Sequence, residues 1–212
     1  MKALLLGICF VSLVGCSRDG DEEVAEVAMR QAEGVVEQEN RNLAQRASEM
    51  EEDLYLRHQY FSALSGVYEG VASSQVENGE VLEHSFRLTI TPSLPPYPNS
   101  GRVRTIEELE YELNNLYLTV ETLEKHENVV YGCVFDGLRP DMQRGTLQLV
   151  DESCVKTFSL RLSQPSDVDV NSSDVAAQVY SGSMNDVLSI QGVSNSSVTG
   201  RQHQIRVTKE QR

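Results

Sequence analysis

The chain has 212 residues, 18 of them Lys or Arg and 32 Asp or Glu, for a formal net charge of −14. With 40% hydrophobic and 24% charged residues it has the make-up of one folded domain with appendages, not of a disordered chain. So acidic a chain repels phosphate, which argues against a nucleic-acid partner, and no apolar run reaches the about 20 residues of a membrane-spanning helix.

The N-terminus opens with Met1-Lys2, and Ala3 to Val14 is apolar apart from Ser12. A short apolar core behind one positive charge reads as a secretory signal. It ends in Leu13-Val14-Gly15-Cys16. These residues resemble the lipobox of bacterial lipoproteins, Leu-x-Gly/Ala-Cys, at every defined position. The resemblance implies cleavage after Gly15, a 1–15 signal peptide, and a lipidated Cys16 as first residue of the mature chain. Two or three acyl chains would make a durable anchor, since one chain alone binds only marginally. The membrane is then a partner through lipid, and the expected location is the bacterial cell envelope. Ser17, in place of the Asp that favours inner-membrane retention in that class, points to the outer membrane.

Residues 16–64 read as an acidic helical arm. Between Cys16 and Leu64 there are twelve acidic and five basic residues, a net −7. From Asp19 to Asp53 there is neither Pro nor an aromatic residue, and good helix formers dominate. Val24, Ala28, Ala32, Val35, Leu43, Ala47, Met50 and Leu54 recur at helical spacing, with Glu39 breaking the row. The stripe fits a solvated stalk, a coiled coil, or a helix folded back on its own domain. Residues 21–53 are expected to add little stability. Tyr55, Leu56, Tyr60, Phe61 and Leu64 thicken the apolar content, so the last two turns are expected to dock.

From Ser65 onward the hydrophobic period falls to two, and 65–212 reads as a β-rich domain. Leu64-Ser65-Gly66-Val67-Tyr68-Glu69-Gly70 begins a strand region. This phrase resembles the Gly-x-Tyr opening of lipocalin-like barrels over a few residues, without the Trp common in that family. Phe86, Leu88 and Ile90 alternate with polar residues as in a half-buried strand. Pro92, Pro95, Pro96 and Pro98 make a stiff loop. Leu109, Tyr111 and Leu113, then Leu116, Leu118 and Val120, favour a hairpin about Asn114-Asn115; a helix within Thr105–Leu123 is the rival. Further strands are expected at 129–135, 145–150, 154–162, 175–180, 187–193 and 204–208, with a polar loop at 167–173. The expected fold is mainly β, a small antiparallel barrel or sandwich behind a long acidic N-terminal helix.

The chemistry-bearing residues are sparse. Cys9 leaves with the signal and Cys16 takes lipid, so Cys133 and Cys154 form the natural disulfide in an oxidising compartment. In a simple three-strand meander their strands would stand about 9–10 Å apart, beyond the about 7 Å that a disulfide spans, and two separate thiols are the alternative. His58, His84, His126 and His203 lack metal-ligand spacing, and they are expected to lie far apart. Asp167, Asp169, Asn171 and Asp174 resemble the front of a calcium loop, but Ser172 and Gln178 replace its Gly and Glu. No nucleophile elbow, phosphate loop or zinc-protease motif is present. The reading is therefore no catalytic residue, no metal and no cofactor. The chain is expected to be a non-catalytic, membrane-anchored binding or scaffolding module for an envelope protein or small ligand. A lipocalin-like carrier of a small apolar ligand and a hydrolase with a dispersed site are the alternatives.

Overall fold

The structure, a computed structural model, describes residues 20–75, 79–93, 104–127, 129–163, 171–198 and 200–210. The chain divides into two compact units, residues 1–46 and 47–212. In the first, every described side chain from Glu26 to Arg46 is exposed. These residues belong to helix α1, Gly20–Leu64, and the exchange of solvated Glu26–Arg30 and Glu37–Arg41 pairs along its surface is typical of a helix without a core. No helix of the described residues is long and apolar enough to cross a membrane.

The second unit begins where α1 starts to pack. Ala47 and Met50 touch the core, and Leu54, Tyr60, Phe61, Ala63 and Leu64 lie within it. Docking thus reaches further back along the helix than its last two turns, and Tyr55 stays exposed.

Among the described residues, eight antiparallel strands form one barrel-like sheet. They are β1 Gly66–Gln75, β2 Val81–Ser93, β3 Tyr117–His126, β4 Val129–Leu138, β5 Thr146–Leu149, β6 Lys156–Ser163, β7 Ser189–Ser196 and β8 Gln202–Lys209. Their order is β4-β3-β2-β1-β8-β7-β6-β5. Each strand therefore pairs with its sequence neighbour, and the first pairs with the last, as in an up-and-down barrel. The one neighbouring pair missing from that circle is β4 with β5. Curling is eased by glycine at two inward positions, where strands approach too closely for a side chain. A Cβ on Gly70 would lie 2.1 Å from the Arg206 carbonyl oxygen, and one on Gly192 2.1 Å from that of Ser159.

Two of the expected strand segments are helices. Ile106–Asn114 is α2, not the first arm of a hairpin. Thr105 and Glu108 form a reciprocal capping box, and Leu109 is buried and Leu113 packs against the core, four residues on, while Tyr111 is 70% exposed. The second half of the expected hairpin is a strand, β3. Ser172–Tyr180 is α3, not a strand; Asn171 caps it and Val175, Ala176 and Val179 are buried. Residues 167–170 of the calcium-like stretch lie outside the described residues, as does most of the proline-rich loop.

The chain order places all three helices at one end of the barrel. Helix α1 enters β1, α2 connects β2 to β3, and α3 connects β6 to β7. In an antiparallel meander those junctions share an end. That end is apolar: Tyr68, Ile90, Leu118, Leu162, Ile190 and Val207 join Leu64, Leu109 and Val179 in the core. The Tyr68 hydroxyl donates to the Leu64 carbonyl at 2.8 Å, and the Val187 N–H, just before β7, donates to the Ala63 carbonyl at 3.0 Å, tying the helix to the barrel. The opposite end lies at the β1–β2, β3–β4, β5–β6 and β7–β8 connections, and none of the described residues there is helical.

Candidate functional site

The inward rows of β2, β3, β6 and β8 change character along their strands. In β3 the buried row runs Leu118, Val120, Thr122, Glu124; in β2 it runs Ile90, Leu88, Phe86, His84. In β8 it runs Val207, Ile205, His203, and in β6 Leu162, Leu160, Phe158, Lys156. In these four rows the polar residue comes at the end away from the helices. Alternation with period two makes this unavoidable: once a strand's core phase is set, the residue two places beyond the last apolar one also points inward.

Phe158 marks the floor of this polar end, with its ring centroid 5.8 Å from those of Phe86 and Phe135. Above it lies a cavity of about 500 Å³. Leu82, Tyr131, Val155, Phe158 and Val198 supply apolar walls, and Ser74, Thr122 and Ser196 supply hydroxyls. The formally charged lining residues are Glu124, Lys156 and Arg201. Lys156 and Glu124 form an ion pair there, and Arg201 adds a second basic side chain to the lining.

Histidines gather here because β1 is lined with small residues. Ala72 stands opposite His84 on one side and Ile205 on the other. Ala72 and Ser74 leave space over β1, and the rings of His84 and His203 meet across it with centroids 5.2 Å apart. The His126 ring lies 5.7 Å from that of His84. His84 Nε2 meets Glu124 Oε1, and Lys156 Nζ donates to both Glu124 oxygens, at 2.6 Å to Oε1. Strands β3 and β6 are not neighbours in the sheet, so this ion pair crosses the barrel interior. Burial alone would raise the Glu124 pKa; the bonds and charge of Lys156, joined by His84, outweigh it and hold the carboxyl below the usual range. Burial, with the positive charge of Lys156 added, lowers the pKa of His203. His203 Nδ1 is buried and has no hydrogen-bond partner among the described residues.

The expectation that the histidines lie far apart is overturned for three of the four. His84, His126 and His203 share the cavity with Glu124 and with Ser74, Ser153 and Ser196; His58 stays on α1. Linear spacing hid this because the three come from β2, β3 and β8.

The Cys133–Cys154 bond joins β4 to the segment before β6, with Cα atoms 6.0 Å apart. The meander objection fails because β4 and β6 do not flank β5. β4 and β5 are the two free edges of the sheet, and the disulfide staples across that seam beside the cavity. It also removes Cys133 as a thiolate. The lipobox residues Gly15 and Cys16 lie outside the described residues. Compared with known protein families, curated proteins and solved structures, the chain gives no match.

Proposed function

We propose that this is a lipid-anchored protein of the bacterial envelope whose barrel binds a small molecule in its polar end, without catalysing a reaction on it. The anchor reading rests on Leu13, Gly15 and Cys16. Cys16→Ser is expected to move the protein from the membrane fraction to the soluble one, read by fractionation with salt and carbonate washes. The part of α1 up to Arg46 is then a stalk; 27 residues from Gly20 rise about 40 Å.

The observation that carries the binding reading is the half-hollow interior: helices and aromatic rings fill one end, and a cavity of about 500 Å³ occupies the other. This volume lies in the range of small-molecule sites, about 300–1,000 Å³. A scaffold needs no such space. The order of eight strands supports the lipocalin-like carrier rather than a sandwich. The lining refines the ligand class, because apolar walls beneath Lys156 and Arg201 suit an apolar body with a negatively charged head. A hydrolase would use His84 as base with Glu124 orienting it. Lys156 on the same carboxylate supports an electrostatic role instead.

A fluorescent fatty acid tests this reading. One equivalent is expected to bind with an emission increase, more tightly than the corresponding neutral alcohol. Ser74→Leu, which puts apolar bulk into the cavity, is expected to abolish uptake while leaving the circular dichroism spectrum unchanged. Equal uptake by that variant would place the probe elsewhere and end the proposal.

A further inference from the structure

We infer that His84, Glu124 and His203 form a binding site for one divalent transition-metal ion, for which zinc is the best match. One ligand atom from each residue lies within 4.8 Å of the other two. They project from three strands into the same cavity. Two imidazoles and one carboxylate are a donor set that suits zinc and its neighbours, whereas calcium and magnesium want oxygen alone. Three protein ligands leave a fourth position, and here that position faces the cavity, as in zinc sites that take an exogenous ligand.

Two further features fit. His203 Nδ1 is a buried nitrogen with no partner among the described residues, and such an atom is costly unless something accepts its lone pair or proton. Lys156 lies against Glu124 from β6. It donates to both Glu124 oxygens, and bonds of this kind fix the orientation of a ligating carboxylate. The disulfide withdraws Cys133 from the cavity's donors, which leaves a nitrogen and oxygen set.

The site uses the cavity of the proposed ligand, so it rests on that cavity being open. A metal held there would present its free position to an anionic head group and make the polar end more selective. Binding of zinc alone is nevertheless a property of the three side chains.

The test uses the full-length protein in detergent, purified without a histidine tag. Equilibrium dialysis against zinc is expected to give one bound ion per chain at micromolar zinc, and cobalt substitution to give the visible absorption of a low-symmetry site. His84→Ala and His203→Ala are each expected to weaken binding at least about tenfold. His58→Ala, on α1, is expected to leave it unchanged, and magnesium or calcium in excess is expected not to compete. Circular dichroism checks each variant. His203 is only half-buried, so His203→Ala keeps the test decisive if His84→Ala perturbs the barrel. Zinc binding that survives both substitutions, or that falls equally with His58→Ala, overturns the site, as does a wild-type protein that takes up no zinc. Uptake of the fatty acid without zinc would sink the metal site alone; zinc without fatty acid would sink the small-molecule reading alone.

Discussion

A chain beginning at Ser65 is expected to be unfolded, whereas one beginning at Ala47 is expected to melt within a few degrees of the parent protein. The cut at Ala47 removes no buried side chain among the described residues, because Glu26 to Arg46 are all exposed. The cut at Ser65 removes Leu54, Tyr60, Phe61 and Leu64, each at most 2% exposed. Burying a large apolar side chain contributes about 1.5–3 kcal/mol. Four of them amount to about 6–12 kcal/mol as an upper estimate, against about 5–15 kcal/mol for a whole domain. Those residues also seal the apolar end, where Tyr68 donates to the Leu64 carbonyl. Circular dichroism melts of the two truncations decide the matter. A cooperative transition in the Ser65 chain near the parent temperature would show that the barrel does not need its helical plug.

Removing the disulfide is expected to have the next largest effect. The bond closes a loop of sequence separation 21, worth about 3 kcal/mol in the chain-entropy model. For a chain of this size that corresponds to a fall of about 6–12 °C in melting temperature. The Cys133→Ala, Cys154→Ala double variant and the reduced wild type should fall together. The location adds a second readout. Because the bond spans the seam between β4 and β5, its loss should loosen the cavity wall at Tyr131 and Val155 and weaken fatty-acid uptake, while the helix-capped end keeps its slow amide exchange. Thiol labelling of Cys133 and Cys154 in the unreduced, denatured protein would contradict the bond itself.

The β-rich domain, its strands and the docked end of α1 were legible because alternation of period two and a thickening apolar stripe are local signals. The two short helices were not. In Leu109-Glu110-Tyr111-Glu112-Leu113 the pattern fits both periods, and nine residues give few turns with which to decide. The capping pair Thr105 and Glu108 was the available arbiter. In Val175 to Tyr180 the β-branched residues suggested a strand, but Asn171 as cap and burial at Val175, Ala176 and Val179 follow the helix.

The candidate site was half legible. His84 stands two places from Phe86, Glu124 two from Thr122 and His203 two from Ile205, so each could be assigned to an inward row from the sequence alone. What brings these rows to one mouth is the strand order and the pairing of β1 with β8. That is a long-range property, and neither residue spacing nor motif reports it. The disulfide shows the same limit: a local meander made it too wide, and only the seam of the barrel brings its cysteines to 6.0 Å.

Proton–nitrogen spectra of histidine-labelled protein test the binding end most directly, because the four imidazoles divide by position. Titration with the fatty acid is expected to shift the ring signals of His84, His126 and His203 together, saturating at one equivalent, and to leave His58 on α1 in place. Ring signals that do not move, or a His58 signal that moves as far as the other three, would contradict a ligand-binding cavity at the polar mouth of the barrel.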